Sequence, residues 1–158
     1  MTARQALRAE LRAKRRALSE QEQCHAQQQL LTQASDFIHN ADIIAAYLPN
    51  DGEISPQALI DYAWAHNKTV ALPVLHPFHP QTLLFVRYTS QSNMTKNKFG
   101  IPEPQLTTQD IIPIHTINRI FVPLVGFDDQ GNRMGMGGGF YDRTLAPITE
   151  SHQVGYVS

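Results

Sequence analysis

Ile43-Ile44-Ala45-Ala46-Tyr47-Leu48, the turn Pro49-Asn50-Asp51-Gly52-Glu53 and, farther on, Thr69-Val70-Ala71-Leu72-Pro73-Val74-Leu75 are the residues that decide the fold. The first run is short and nearly all apolar, the pattern of a strand buried on both faces. Pro49, Asn50, Asp51 and Gly52 form a strong turn. Ser55 can cap a helix that has Pro56 at its first position, Leu59, Ile60 and Ala63 on its buried side, and an end near Asn67. Residues 69–75 form a second apolar strand. Strand, helix, strand is a βαβ unit, which requires parallel pairing and a right-handed crossover. The expected fold is α/β: a single three-layer domain over residues 1–158, with a mostly parallel sheet flanked by helices. Ligands of such sheets bind beyond the carboxyl ends of the strands. Glu53 follows a turn at such an end and is a site candidate, although an exposed loop carboxylate is the more frequent case.

Toward the N-terminus, residues 3–18 read as a helix, with Ala3, Leu7, Leu11 and Leu18 at helical spacing. Arg4, Arg8 and Arg12 share a face, and Lys14, Arg15 and Arg16 follow closely. A solvated basic face is the usual outcome of such a run; a cationic wall that reaches a phosphate is the functional reading. The residues alone favour the first. Ser19-Glu20-Gln21-Glu22 is a capping-box pattern that starts a second helix to about Ile38. Leu30, Leu31, Ala34, Phe37 and Ile38 form its apolar stripe.

Toward the C-terminus, His76-Pro77-Phe78-His79-Pro80 is a rigid connection, and its two histidines lack a nearby third ligand for a metal. Residues 82–88 read as an edge strand. Residues 89–110 form an ordered, extended segment around Phe99-Gly100-Ile101-Pro102-Glu103-Pro104. Residues 119–125 form another buried strand, residues 140–145 start a helix, and residues 152–158 begin one more strand.

With 158 residues the chain suits one domain, and 42% apolar residues is ordinary for a globular protein. A net charge of −1 provides no global attraction to nucleic acid or membrane. The single cysteine, Cys24, excludes an internal disulfide and fits a reducing cytosol. No apolar run approaches the ~20 residues of a membrane span, and the Arg-rich start lacks the apolar core of a secretory signal. The expected location is the cytoplasm.

Chemistry concentrates in Gly131-Asn132-Arg133-Met134-Gly135-Met136-Gly137-Gly138-Gly139-Phe140-Tyr141-Asp142-Arg143. Glycines let backbone N–H groups approach a ligand and form an anion-binding nest. Arg133 and Arg143 can add charge toward phosphate oxygens, and Asp142 can hold a magnesium ion. A plain glycine-rich surface turn is the alternative. The stretch is not a Walker A loop, which needs Gly-Lys followed by Ser or Thr. It is not a dinucleotide fingerprint either, because Phe140 stands where the last glycine is needed.

Phe127-Asp128 followed by Gly131-x-Arg133-x-Gly135-x-Gly137-x-Gly139-Phe140-Tyr141-Asp142-Arg143 resembles the ATP loop of the 5-formyltetrahydrofolate cyclo-ligase family, also called methenyltetrahydrofolate synthetase. The basic N-terminal helix, the turn from Leu48 to Glu53, Leu72-Pro73-Val74 and the segment from Phe99 to Pro104 occur in that family in the same order. The resemblance implies a magnesium-dependent enzyme that converts 5-formyltetrahydrofolate and ATP into 5,10-methenyltetrahydrofolate, ADP and phosphate. The formyl oxygen takes the γ-phosphoryl group, and N10 attacks the imidoyl phosphate.

By the same resemblance the ATP-binding positions are Arg4, Arg8, Arg133, Met134, Gly135, Met136, Gly137, Gly138, Gly139, Phe140 and Tyr141. The folate-binding positions are Leu48, Glu53, Met136, Gly137, Gly138, Gly139 and Phe140. Asp142 is the magnesium ligand, and Arg133, Tyr141 and Asp142 serve catalysis. This reverses the preference for a merely solvated basic helix. The implied partners are small-molecule substrates acting on a monomer, without nucleic acid or membrane. Arg4 stands where relatives commonly have lysine, and Met136 and Gly138 stand where they often have a cation. Relatives also run on past a segment like Val154-Gly155-Tyr156 to a further magnesium-linked acid and a final strand. A folate- or nucleotide-binding protein without turnover is the alternative.

Overall fold

The computed structural model describes residues 2–79, 81–146 and 154–157. Helix α1 (Ala3–Arg16) opens the chain. Thr2 starts it: the Thr2 hydroxyl accepts the Gln5 N–H, and the Gln5 side chain accepts the Thr2 N–H. None of its residues is fully buried. Helix α2 (Glu20–His39) follows, with Ser19 Oγ accepting the Glu22 N–H at 3.1 Å. The Glu22 carboxylate turns to the Ser19 hydroxyl at 3.2 Å, so the expected capping box is bonded through the Ser19 side chain.

Strand β1 (Ile43–Ala45), helix α3 (Gln57–Ala65) and strand β2 (Thr69–Leu75) form the βαβ unit, with Ile43 opposite Thr69 in parallel register. Strand β3 (Leu83–Tyr88) runs antiparallel to β2 at the edge of the sheet. Strands β4 (Met94–Lys96) and β5 (Pro102–Pro104) pair as a separate hairpin. Strand β6 (Arg119–Pro123) lies parallel to β1 on its other side. Strands β7 (Gly126–Phe127) and β8 (Arg133–Met134) form a small antiparallel ribbon. Helix α4 (Phe140–Leu145) follows, and strand β9 (Val154–Val157) pairs parallel to β6. The main sheet has the order β3-β2-β1-β6-β9.

The alternation of side chains along these strands divides the core into two layers. Ile44, Val70, Leu72 and Phe121 face α2 and α3, where they meet Ala34, Ile38, Leu59, Ile60 and Ala63. Their neighbours Ala45, Ala71, Ile120 and Val122 face the other side, toward Phe85, Ile112, Ile117 and Leu145 of α4. The result is the expected three-layer α/β arrangement.

Several boundaries differ from expectation. The first strand stops at Ala45 instead of Leu48. Ala46 still donates its N–H to the Ala71 carbonyl at 2.9 Å. Tyr47 then leaves the ladder to donate its hydroxyl to the Ile54 carbonyl at 2.5 Å inside the protein. Helix α3 starts at Gln57, and Ser55 Oγ accepts its N–H at 3.2 Å, one residue short of the regular helix. Segment 89–110 contains the β4–β5 hairpin, tied to the end of β2 by the Leu75 N–H donating to Glu103 Oε2 at 3.2 Å. His76 uses Nδ1 to accept the N–H groups of Phe78 and His79, a turn-forming role. The described residues contain no group of three His, Cys, Asp or Glu placed to hold a metal.

Candidate active site

β1 has β2 on one side and β6 on the other, and β1 and β6 belong to different crossovers. This is the topological switch point, where a crevice opens beyond the carboxyl ends of the strands. The turn after β1 and the segment after β6 meet there. Arg15 of α1 joins them: Nε donates to the Asp51 carbonyl at 2.9 Å and Nη1 to the Leu124 carbonyl at 3.2 Å. Helix α1 therefore lies across the mouth of the crevice.

The glycine stretch is held against this helix. Its first part is ribbon: Val125 donates to the Met134 carbonyl at 2.6 Å, and Asp128 closes the turn by accepting the N–H groups of Gln130 and Asn132. Beyond Met134 the backbone loops out. Gly137 has φ +101° and Gly139 has φ +71°, conformations that side chains rarely adopt. Arg8 of α1 reaches 127 residues along the chain to donate from Nε to the Gly135 carbonyl at 2.8 Å. Its guanidinium lies so close that a Cβ on Gly137 would stand 3.5 Å from it. Arg143 holds the other side of the loop, donating to the Gly138 carbonyl and, at 2.8 Å, to the Gln81 carbonyl.

Arg133 ends at Asp142, with Nη2 to Oδ1 at 2.5 Å. The arginine side chain is only 11% exposed and the carboxylate 74%. The guanidinium also lies 5.7 Å from the centre of the Tyr141 ring, within cation–π range. Arg133, Tyr141 and Asp142 thus form one cluster at the start of α4.

The turn after β1 supplies the opposite wall. Glu53 folds back so that a carboxylate oxygen accepts the Asn50 N–H at 2.9 Å. Burial pushes its carboxyl up to about 6, with the Asn50 bond and the Arg15 charge opposing. Burial likewise raises the Tyr141 hydroxyl, the Glu53 charge adds to the rise, and Arg133 opposes it. Burial and the Glu53 charge also raise Tyr47. Two stretches far apart in sequence therefore bring Glu53 and Tyr141 within electrostatic reach of each other.

A cleft of about 650 Å³ lies between α1 and the β7–β8 ribbon. Arg4, Arg133 and Asp142 line it along with Leu7, Leu11 and Phe127. Arg4 and Arg8 thus stand on the same side as the glycine stretch. Phe140 packs edge-on against Phe99 at 6.0 Å, so the β4–β5 hairpin borders the same region. Met136 is 47% exposed on the loop, and Leu48 is half-buried against the core.

Magnesium commonly binds through one or two carboxylates and takes its remaining ligands from phosphate and water. Asp142, exposed and lining the cleft, fits that role better than the role of a member of a protein cage. The sequence does not mark Asp51 as more than a turn residue. Three arginines of α1 end on its carboxylate, which the turn-forming pattern around it conceals.

The sequence profile of the 5-formyltetrahydrofolate cyclo-ligase family matches residues 1–156. The chain belongs to that family of enzymes. A 5-formyltetrahydrofolate cyclo-ligase of Haemophilus influenzae is 49% identical over 144 residues, covering 90% of this chain and 77% of the relative. One of Escherichia coli is 43% identical over 137 residues, covering 85% and 75%. The solved 5,10-methenyltetrahydrofolate synthetase of Aquifex aeolicus superposes with a TM-score of 0.82 at 25% identity, covering 99% of this chain and 78% of that one. Cyclo-ligases use ATP as a co-substrate, so the family membership agrees with a site walled by arginines and glycines.

Proposed function

We propose that this cyclo-ligase converts 5-formyltetrahydrofolate and ATP, with magnesium, into 5,10-methenyltetrahydrofolate, ADP and phosphate. The observation that carries the reading is the convergence of Arg8, the glycine loop and the Arg133–Tyr141–Asp142 cluster opposite Glu53 at one switch point. The cleft under α1 suits ATP: Leu7, Leu11 and Phe127 offer an apolar side for the base, and Arg4, Arg8 and Arg133 offer charge for the phosphates. Residues 134–141 carry the phosphate chain past the loop. Leu48, Glu53, Phe140 and residues 136–139 border the folate, with Glu53 accepting hydrogen bonds from the pterin N–H groups.

In the reaction the formyl oxygen attacks the γ-phosphorus, and the bond to the β-bridging oxygen breaks to release ADP. N10 then adds to the activated carbon and the ring closes; the N10 proton passes to the departing phosphate or to water, and the C–O bond breaks with its electron pair leaving on phosphate. A formyl oxygen leaves poorly as hydroxide and well as phosphate, which is why ATP is needed. The chain's work is alignment and charge neutralisation. Arg133 offers its guanidinium to the transferring group, Tyr141 stacks beneath that guanidinium, and Gly137 and Gly139 let the backbone close in. Asp142 would hold magnesium, which screens phosphate charge when bound. The enzyme acts as a monomer in the cytoplasm.

The test is the near-ultraviolet absorbance of the methenyl product, followed with and without ATP. Absorbance that grows only with ATP and magnesium supports the reading. Thermal stabilisation by both ligands without product identifies a binding protein instead. Asp142→Ala is expected to lower magnesium-dependent turnover ~100-fold or more while leaving 5-formyltetrahydrofolate binding within a few-fold, because it acts on transition-state charge.

A further inference from the structure

Helix α1 carries the two arginines assigned to the ATP phosphates, yet the hydrophobic effect anchors it weakly, since none of its residues is fully buried. Polar contacts must fix its direction. Toward its N-terminus there is, among the described residues, Arg8 to the Gly135 carbonyl at 2.8 Å. Toward its C-terminus there is a cluster on one residue. Asp51 Oδ2 accepts Arg12 Nε at 2.8 Å and Arg15 Nη2 at 3.0 Å, and Oδ1 accepts Arg16 at 2.5 Å. The Asp51 carbonyl accepts Arg15 Nε at 2.9 Å as well. The carboxylate is 15% exposed and the Arg15 side chain 10%, so the Arg15–Asp51 pair is shielded more than an ordinary surface pair, whereas Arg12 and Arg16 lie nearer solvent. Asp51 sits at φ +55° in the turn that also carries Glu53. The next carbonyl, that of Gly52, accepts the Gln23 side chain of α2 at 2.9 Å.

We infer that Asp51 is a positioning residue for the nucleotide: it gathers Arg12, Arg15 and Arg16 and so sets the direction in which α1 presents Arg4 and Arg8 to the glycine loop. The inference rests on the proposed ATP reading of that loop. The geometry is that of a lever. From Arg15 to Arg4 the helix rises about 16 Å, so a tilt of about 10° at the anchored end would carry Arg4 by about 3 Å. A charge-assisted bond to phosphate does not survive such a displacement. Without the carboxylate, three crowded guanidinium groups would repel one another and push the end of the helix away from the turn. The three arginines hold the Asp51 carboxyl down to about 2, so the anchor stays ionised throughout the working pH range. Because Asp51 and Glu53 share one turn, the same anchor ties the helix of the nucleotide side to the wall of the folate side.

The test compares wild type with Asp51→Asn, which keeps the size of the side chain and tolerates positive φ while losing the charge. Titration of each with Mg-ADP, well below the melting temperature, is expected to show ~10-fold or greater weakening, while KM for 5-formyltetrahydrofolate changes less than ~3-fold. The double variant Arg12→Gln/Arg16→Gln leaves Asp51 and Arg15 in place and is expected to shift Mg-ADP affinity in the same direction, which keeps the test decisive should Asp51→Asn fail to fold. In an Arg8→Gln background the Asp51→Asn loss is expected to shrink, since both act through one helix. Unchanged Mg-ADP affinity in the folded variants, equal losses for both substrates, or fully additive losses with Arg8→Gln overturn the inference. Wild type that takes up no Mg-ADP overturns the nucleotide reading along with it, whereas wild-type binding with unaffected variants overturns this inference alone.

Discussion

At the scale of single residues, the folate contact proposed for Glu53 would trade stability for binding. Its carboxyl titrates near 6 because burial penalises the charged form. The folded state therefore holds the proton more tightly than the unfolded state, whose carboxyl titrates near the ordinary value. This group's contribution favours folding below the ordinary value and is lost as pH rises through about 6. Ionised Glu53 at neutral pH is thus a cost, and Glu53→Gln is expected to raise the melting temperature at pH 7.5 while raising KM for 5-formyltetrahydrofolate ~10-fold or more. Melting curves at pH 4.0 and 7.5 check the first half: the gain should largely vanish at the lower pH, which lies below the ordinary carboxyl value. Gly137→Ala is expected to cost about 1 to 3 kcal/mol locally, because φ +101° is strained for any side chain, although the new Cβ would make only ordinary contact with Arg8. Its predicted signature is a rise in KM for ATP larger than the loss in global stability. Glu53 and the glycines stand out in the sequence as candidates, from their position after a turn and from their spacing. Asp51 was not, because its partners Arg12, Arg15 and Arg16 lie more than thirty residues away and only the fold brings them to it.

At the scale of elements, the strands that the apolar runs mark are present, because burial on both faces leaves a pattern that local sequence displays. β1 is shorter than its run because Tyr47 and Leu48 are apolar for another reason: they pack on the core after the ladder has ended. β4 was invisible because Met94, Thr95 and Lys96 are all exposed, so no buried face shaped their choice. β5 was hidden by two prolines that read as loop. Part of the basic face of α1 is exposed, yet three of its cations have a specific partner in Asp51. Since α1 lacks a fully buried residue, its amides are expected to exchange with deuterium sooner than those of α2 and α3, whose Ile38, Leu59 and Ile60 are buried. Mg-ADP is expected to slow exchange in α1 and in residues 134–141 together. Protection of α1 equal to that of α3 in the free protein would contradict the view that ion pairs anchor it.

At the scale of the whole molecule, the sheet places two walls at one switch point, the turn after β1 and the loop before α4, and the proposed function gives the first to folate and the second to phosphate. Ligands that bind only the folded state raise its stability, by about 2.7 kcal/mol at a hundred times Kd. Mg-ATP and 5-formyltetrahydrofolate are each expected to raise the melting temperature, and added salt is expected to erode the effect of Mg-ATP more, because arginines line its side. The central claim is that this site transfers a phosphoryl group to the formyl oxygen. Substrate carrying oxygen-18 in the formyl group tests it most directly, with the released phosphate examined by mass spectrometry or phosphorus NMR. The account predicts one labelled oxygen in each phosphate formed with the methenyl product. Product formation with unlabelled phosphate, and the label lost to water, would contradict it.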